Sequence, residues 1–207
     1  MSLPAAAAPR RRYLPVLAPV VVVLLGLLVA GCGINNIPTY EEQSKAKWSE
    51  VENQYQRRSD LIPNLVETVK GFAKQEREVL QAVTEARSRA TSIQATPDLI
   101  NNPEAFKKFQ DAQAQLSGAL GRLLAISERY PDLKSNQNFL ALQAQLEGTE
   151  NRIAVARRDY IEAVRVYNTE LKTFPGVIWA KVLYATSKPM AEFSVAEDVK
   201  RNPQVKF

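Results

Sequence analysis

Histidine is absent from this sequence of 207 residues, and cysteine occurs once, as Cys32. The lack of histidine excludes hydrolase triads that use an imidazole base and zinc motifs of the H-E-x-x-H kind. The single cysteine excludes a disulfide within the chain in any compartment. The sequence also lacks a P-loop and a dinucleotide-binding glycine pattern. These absences predict a protein that is not an enzyme and that holds neither a metal nor another cofactor.

The positive charge of the chain is concentrated at its beginning. The formal net charge is +5, but Arg10, Arg11 and Arg12 stand in an acid-free N-terminal stretch, and the rest has 24 basic and 22 acidic residues. The basic pI of 9.3 therefore gives no indication of a nucleic-acid partner, because the excess charge belongs largely to the N-terminus.

Residues 1–31 have the layout of a secretory signal peptide, with a basic cluster, an uncharged stretch from Tyr13 and small residues before Cys32. The uninterrupted apolar run, residues 20–30, is shorter than the roughly 17–25 residues that a membrane-spanning helix needs. Its end, VAGC at 29–32, resembles a bacterial lipobox, in which the cysteine thiol receives a diacylglycerol and cleavage makes that cysteine the first residue. Lipid attachment at Cys32 is the resulting prediction.

An uncleaved signal anchor is the alternative, because residues 13–30 carry no charge and are close to the lower length limit of a span. Either way the membrane is a partner, through lipidated Cys32 or through the N-terminal helix. The positive-inside rule keeps the arginine cluster in the cytoplasm, so we expect the rest of the protein on the extracytoplasmic, periplasmic side. There it is expected to be attached to the inner or the outer membrane. We expect a short tether at residues 32–38 and a folded domain at 39–207.

From Thr39 onward, buried-type residues recur at alternating spacings of three and four, a heptad pattern typical of helices that pack as in coiled coils. The first series starts at a capping box on Thr39, stays in phase across Pro63 and runs to residue 90. A loop at Pro63 would have no reason to preserve that phase. We therefore predict one long first helix, kinked where proline removes the bond to the carbonyl of Ser59.

Two further series, over 106–130 and 139–167, predict two more long helices, and residues 177–184 predict a shorter fourth one. Asn102 is predicted to cap the second helix, with Pro103 at its first position. Strand patterns are absent. The predicted fold is all-α: an antiparallel up-down bundle of long helices, similar to a four-helix bundle, behind an N-terminal membrane-targeting segment.

Some polar residues occupy positions in these series where apolar residues are expected. They are Arg58, Glu76, Gln113 and Thr149. Buried polar groups can fix the register of a bundle at some expense in stability, so these four are candidates for a polar core. The alternative is that Arg58 turns outward at the kink and that Glu76 lies at the edge of the bundle.

Paired carboxylates are the remaining candidates for chemistry. Glu147 and Glu150 form one pair, and Asp159 and Glu162 form another, each three residues apart on a predicted helix. Such pairs on long charged helices are usually solvated or bonded to nearby arginines. An envelope enzyme, or a bundle that binds a ligand or metal through carboxylates between helices, is therefore the alternative to a protein without activity.

Five strings of residues resemble the signature of the LemA family. They are RRSDLIPNLVETVKG at 57–71, AVTEAR at 82–87, LEGTENRIAVARR at 146–158, YNT at 167–169 and FPG at 174–176. The resemblance runs from about Trp48 to Phe207 and implies an antiparallel bundle of long helices on an N-terminal membrane anchor, in bacteria. It implies no activity, because the family has no settled biochemical function. Many relatives keep an uncleaved N-terminal helix, so the lipobox-like string is a departure from the family.

The segment around Pro63 is also a candidate surface for a protein partner. It places a mixed set of polar residues near the predicted kink, namely Arg57, Asp60, Asn64 and Glu67. The alternative is that the kink only lets a long helix follow the core. From the sequence we expect a membrane-anchored, extracytoplasmic helical protein of the bacterial envelope that acts as an adaptor or scaffold.

Overall fold

The structure, a computed structural model, describes residue 19 and residues 33–93, 95–96 and 98–193. Cys32, the predicted signal or anchor segment apart from residue 19, and residues 194–207 lie outside the described residues. Between residues 33 and 193 the chain forms six α-helices: α1 (Asn36–Phe72), α2 (Arg77–Ser92), α3 (Pro103–Ile126), α4 (Pro131–Lys134), α5 (Gln137–Glu170) and α6 (Gly176–Val182). No strand occurs in this part of the chain, so the predicted all-α class is confirmed. Every helix described there is too short or too polar to cross a membrane.

The predicted single helix through residue 90 is wrong, because α1 ends at Phe72 and α2 begins at Arg77. Residues 74–77 are all polar, so a continued helix would have no apolar side chain to bury along this turn. The chain instead reverses after Ala73, which is fully buried, and α2 folds back beside α1. The heptad spacing nevertheless continues across the reversal, since both helices face the same core.

The start of α1 also differs from the prediction, because the helix begins at Asn36, three residues before Thr39. The amide of Thr39 is already in the helical pattern and donates to the carbonyl of Asn35 at 3.1 Å. Ile37 is fully buried, which gives this added turn an apolar contact with the core. The boundary of the tether at residues 32–38 stays a prediction.

The prediction that the helix continues through Pro63 is confirmed, because Pro63 lies inside α1. Proline has no N–H, so the carbonyl of Ser59 has no helical donor four residues later. Arg87 of α2 fills this gap, since its Nε donates to the Ser59 oxygen at 2.9 Å. A contact from the neighbouring helix thus replaces the missing backbone bond.

The longest helices, α1 and α5, pack against each other in opposite directions. As the residue number rises along α1, the number of its partner on α5 falls: Asn36 bonds Glu170, Lys47 bonds Asp159 and Arg58 bonds Glu150, at 3.2, 3.2 and 2.8 Å. The 37 residues of α1 give it a length of about 55 Å at roughly 1.5 Å per residue. A second pair is formed by α2 and α3, and α2 also packs on α1.

The buried apolar residues form two clusters along the molecule. The first contains the aromatic residues Trp48, Tyr55, Phe106, Phe109, Tyr160, Tyr167 and Phe193. The second is mainly aliphatic and includes Ile62, Leu65, Val83, Leu116, Leu120, Leu123 and Leu146. Arg58 and Gln113 lie between the two clusters along α1 and α3, so a polar layer divides the core.

The N-terminus of α3 is built as predicted. The side chain of Asn102 accepts hydrogen bonds from the amides of Glu104 and Ala105, at 3.2 and 3.1 Å, and Pro103 is the first helical residue. These bonds satisfy donors that the first turn of a helix leaves free. The cap fixes the end of α3 that carries Phe106 into the aromatic cluster.

Candidate functional site

Arg58 is the most unusual residue of the interior, because its charged side chain is only 1% exposed. It extends from α1 toward the space between α3 and α5, where it reaches side chains of both helices. One guanidinium nitrogen, Nη1, donates to Ser117 Oγ at 2.9 Å and to Glu150 Oε1 at 2.8 Å. The other, Nη2, donates to the side-chain oxygen of Gln113. Arg58 therefore joins three helices through one side chain.

The partners of Arg58 differ in their access to water. Gln113 is 8% exposed, whereas the side chain of Glu150 is 41% exposed. The ion pair thus has a buried cation and a partly hydrated anion. Arg58 Nε is buried and has no hydrogen-bond partner. The guanidinium lies 5.0 Å from the centroid of the Tyr55 ring, a cation–π distance, and burial raises the pKa of the Tyr55 hydroxyl.

A cleft of about 1000 Å³ opens beside this layer, between α3 and α5. The apolar part of its wall includes Phe106, Ile153 and Phe193, and Arg58 lies at its inner side. Charged side chains of both signs line it: Arg58, Lys107 and Arg157 on one hand, and Asp111, Glu150 and Glu192 on the other. The Arg157 guanidinium lies 4.3 Å from the centroid of the Phe193 ring. The cleft is therefore amphipathic, with balanced charge.

The other predicted polar core residues behave differently from Arg58. Thr149 is fully buried, but its hydroxyl donates to the carbonyl of Gln145 at 2.7 Å, which is a bond within α5. Gln113 contacts Arg58 directly, so of the four predicted residues these two form one site. The prediction of a register role for Gln113 and Thr149 stays a prediction.

Glu76 is not part of the core layer. It precedes the first residue of α2, at the reversal that follows α1, and its side chain is 16% exposed. It accepts a hydrogen bond from Tyr130 Oη at 3.0 Å and pairs with Arg129 at 3.1 Å. The predicted heptad position of Glu76 depends on a single long helix, which the structure does not form. The contacts of Glu76 link the turn between α1 and α2 to the segment that follows α3.

The residues proposed as a partner surface all face solvent. Arg57, Asp60, Asn64 and Glu67 are exposed along one side of α1, as their spacing of three, four and three residues requires. Asp60 accepts from Gln56 Nε2 at 2.8 Å, and Glu67 pairs with Lys70 at 3.2 Å. We call these four residues the α1 stripe. Its role in binding stays a prediction.

Three of the four paired carboxylates contact cations, and the fourth, Glu147, accepts a hydrogen bond from Gln143. Glu150 pairs with Arg58, Asp159 pairs with Lys47 at 3.2 Å, and Glu162 forms two bonds with Arg165. The bonds to Arg165 lower the pKa of the Glu162 carboxyl. Among the described residues, no group of three or more His, Cys, Asp or Glu side chains is arranged to hold a metal ion. Glu150, Asp159 and Glu162 are therefore ion-pair partners in the structure, whereas Glu147 bonds a neutral side chain.

The segment that follows α6 completes the aromatic cluster, a contribution that the sequence pattern did not reveal. Met190 and Phe193 are buried there, and Tyr160 Oη donates to the carbonyl of Ala191 at 2.7 Å. Asn168 holds the same segment, because its side chain accepts from the Met190 amide at 2.9 Å and donates to the Met190 carbonyl at 3.0 Å. No helical or strand periodicity marks residues 185–193, so their burial has no signal in the spacing.

Comparison with known proteins finds one matching protein family and several related proteins. The model of the LemA family matches residues 47–207, which confirms the resemblance seen in the sequence. Magnetosome protein MamQ 2 of Paramagnetospirillum magneticum is 28% identical over 175 residues, which are 77% of this chain and 63% of that protein. Magnetosome protein MamQ of Magnetospirillum gryphiswaldense is 27% identical over 159 residues, 68% of this chain and 58% of that protein.

A further relative is Protein LemA of Metamycoplasma hominis, 25% identical over 118 residues, which are 57% of this chain and 50% of that protein. The chain thus spans between half and two thirds of the length of these curated relatives. The matched family region covers α1 from residue 47 and all of the five helices that follow, and it includes the α1 stripe and the layer around Arg58.

Proposed function

The chain belongs to the LemA family, and on this premise we propose that it is a membrane-anchored, extracytoplasmic protein of the bacterial cell envelope. In this proposal an antiparallel helical bundle acts as an adaptor or scaffold rather than as an enzyme. One observation carries the adaptor role: in the segment that resembles the family signature, Ile62, Leu65 and Val69 are buried while the α1 stripe is exposed. The outward side of this segment is therefore free to contact a partner.

The α1 stripe suits a protein partner because it combines a cation, two carboxylates and an amide within three turns of one helix. Mixed charge at an exposed surface gives orientation and specificity to an association more than bulk affinity. The backbone beneath the stripe is also held in place, since Arg87 bonds the Ser59 carbonyl at the position where Pro63 supplies no donor. The contact from α2 therefore stabilises the part of α1 that carries the stripe.

The membrane attachment of this proposal is expected at Cys32 or through the N-terminal apolar segment. A diacylated and N-acylated cysteine carries several chains, which anchors a protein more stably than a single chain. Mass spectrometry of the N-terminus of the purified protein distinguishes the two forms of anchor. A modified cysteine as the first residue supports the lipoprotein, whereas an intact Met1 contradicts it and leaves the uncleaved anchor.

A charge reversal in the α1 stripe tests the adaptor role. Asp60→Lys should abolish the crosslinks that a photoreactive residue at position 64 forms with a protein partner in intact cells. Glu147→Lys is the matched control, because Glu147 is also exposed and also accepts a hydrogen bond from a glutamine four residues earlier, at 2.9 Å against 2.8 Å for Asp60. If position 64 forms no specific protein adduct, or if both variants reduce it equally, the stripe is not the partner surface.

A second candidate function is the binding of a small ligand in the cleft beside Arg58. The observation that favours it is the size of the cleft, about 1000 Å³, together with a buried cation at its inner side. Ligand sites commonly combine apolar walls with a few placed polar groups. A thermal-shift screen of small dicarboxylates and phosphates against the wild type and Arg157→Ala tests this function. A melting temperature that no compound raises in the wild type argues against it.

A further inference from the structure

Most of the large apolar side chains that remain exposed lie in one short stretch of the chain. Seven such residues are exposed in the described part, and four of them fall between positions 174 and 183. These four are Phe174 (73% exposed), Ile178 (44%), Val182 (69%) and Leu183 (53%). Single exposed apolar residues are ordinary, but a contiguous group marks a contact surface. We call this group the α6 patch.

The two sides of α6 have different surroundings. Trp179, Ala180 and Tyr184 are partly buried and pack against the aromatic cluster of the core. Ile178 and Val182, one turn apart, lie on the opposite side and are exposed. The helix is therefore fixed to the core by one face and presents the other outward, so the exposure of the patch belongs to the folded arrangement.

The α6 patch lies where the chain leaves the N-terminal segment. A methyl group built on Gly33 would come within 3.5 Å of Pro175 Cγ, which places Gly33 beside the residue that precedes α6. Asn36, at the start of α1, bonds Glu170 at the end of α5 at 3.2 Å. The apolar run at residues 20–30 ends three residues before Gly33 in the sequence. An anchor that ends there holds this end of the molecule at the membrane surface.

The segment that carries the patch has charge of one sign in the sequence, and the nearest carboxylate before it, Glu170, lies beside Gly176 at the start of α6. Residues 171–190 contain Lys172, Lys181 and Lys188 and no Asp or Glu. Apolar side chains flanked by lysines form the composition of segments that lie in a membrane interface. Lysines near an anionic surface add electrostatic attraction to it. This composition fits a lipid surface better than an acidic or neutral protein groove.

We propose that the α6 patch inserts into the interfacial region of the bilayer beside the N-terminal anchor. The inference rests on the proposed membrane attachment and adds a second contact, which fixes the orientation of the protein. With α6 in the interface, the long α1–α5 pair extends away from the membrane from its α6 end. The α1 stripe, more than 20 residues from the start of α1, is then held roughly 30 Å or more from that end along the helix.

Photocrosslinking to lipid tests the α6 patch in the full-length protein. The photoreactive p-benzoylphenylalanine replaces Ile178 or, in a second variant, Val182, and the protein is reconstituted into vesicles of phosphatidylethanolamine and phosphatidylglycerol. Leu140 is the matched control, because it is exposed to a similar extent (48% against 44% for Ile178) and lies near the opposite end of α5. We expect phospholipid adducts at 178 and 182 that are several-fold more abundant than at 140.

Separation of membrane-bound from free protein in the same samples distinguishes the two proposals. If the protein is membrane-bound but positions 178 and 182 give no more lipid adduct than position 140, the inference about α6 is overturned and the anchor stands. Protein adducts at 178 and 182 in place of lipid adducts overturn it as well, since they show a protein contact. If the protein does not bind vesicles at all, the proposed membrane attachment fails together with the inference.

Discussion

The substitution Arg58→Met probes the polar layer most directly, because methionine keeps a long unbranched side chain and removes the charge. Two large terms nearly cancel in the wild type. Withdrawing a guanidinium from water costs several kcal/mol, and the bonds to Ser117, Glu150 and Gln113 offset it. The effect of the substitution therefore depends on the partners that are left behind.

The exposure of each former partner of Arg58 sets how much that partner adds to the loss of stability. Ser117 is exposed and the Glu150 side chain is 41% exposed, so both regain water and each contributes at most about 1 kcal/mol. Gln113 is 8% exposed and loses its donor, which costs about 1–3 kcal/mol. We expect a loss of about 2 kcal/mol in the free energy of unfolding. For a domain of this size that is a fall in the melting temperature of roughly 4–8 °C.

The double substitution Arg58→Met with Gln113→Leu should recover most of this loss, because it leaves no former partner of the guanidinium both buried and unpaired, and it joins the two apolar clusters. Arg57→Met is the control: it makes the same chemical change at the adjacent exposed position, where the effect should stay within about 0.5 kcal/mol. Thermal and urea unfolding of the full chain in mild detergent, followed by circular dichroism, measures all four proteins. A single variant as stable as the wild type, or a double variant no better than the single one, would refute the reasoning.

Two further predictions concern the pH dependence of stability and the proline in α1. Burial raises the pKa of the Tyr160 hydroxyl above its ordinary value of about 10. As the pH rises, this hydroxyl therefore ionises in the unfolded chain at a lower pH than in the folded protein. The free energy of unfolding should be insensitive to this group below about pH 10 and fall above it, and Tyr160→Phe should flatten that alkaline decline in urea titrations; an unchanged slope contradicts this. Arg87→Met should cost about 1 kcal/mol by leaving the Ser59 carbonyl unpaired. The same change in a Pro63→Ala background should cost less, since the new amide donates to that carbonyl, and equal losses in both backgrounds would show that the two donors are not interchangeable.

Two local signals in the sequence predicted the structure correctly, whereas the capping box at Thr39 did not, because α1 begins at Asn36. Asn102 and Pro103 start α3 as predicted, because the cap bonds only the following amides. The phase of the apolar residues across Pro63 correctly predicts a continuous helix there. Both cases depend on atoms within four residues of one another, and the sequence displays that spacing.

The chain reversal after Ala73 shows where such signals fail. Heptad spacing reports which side of a helix is buried, and it does not report whether the chain continues or folds back onto the same core. The heptad spacing makes Glu76 a candidate for the polar core for this reason, whereas it lies at the reversal and bonds Tyr130 and Arg129. The burial of Phe193 had no signal either, because it depends on Asn168 and Tyr160 holding an irregular segment.

The sequence by itself thus determined the all-α class, the family, the proline-containing first helix and the presence of polar residues on its buried side. Only the tertiary structure decided what those residues do. The three partners of Arg58 stand 55, 59 and 92 positions away along the chain, on two other helices. Helical periodicity arises from contacts three and four residues apart, whereas the pairing of a buried charge depends on which helices meet around it. The same reason applies to the α6 patch, whose position beside Gly33 follows from the packing of the start of α1 against the end of α5.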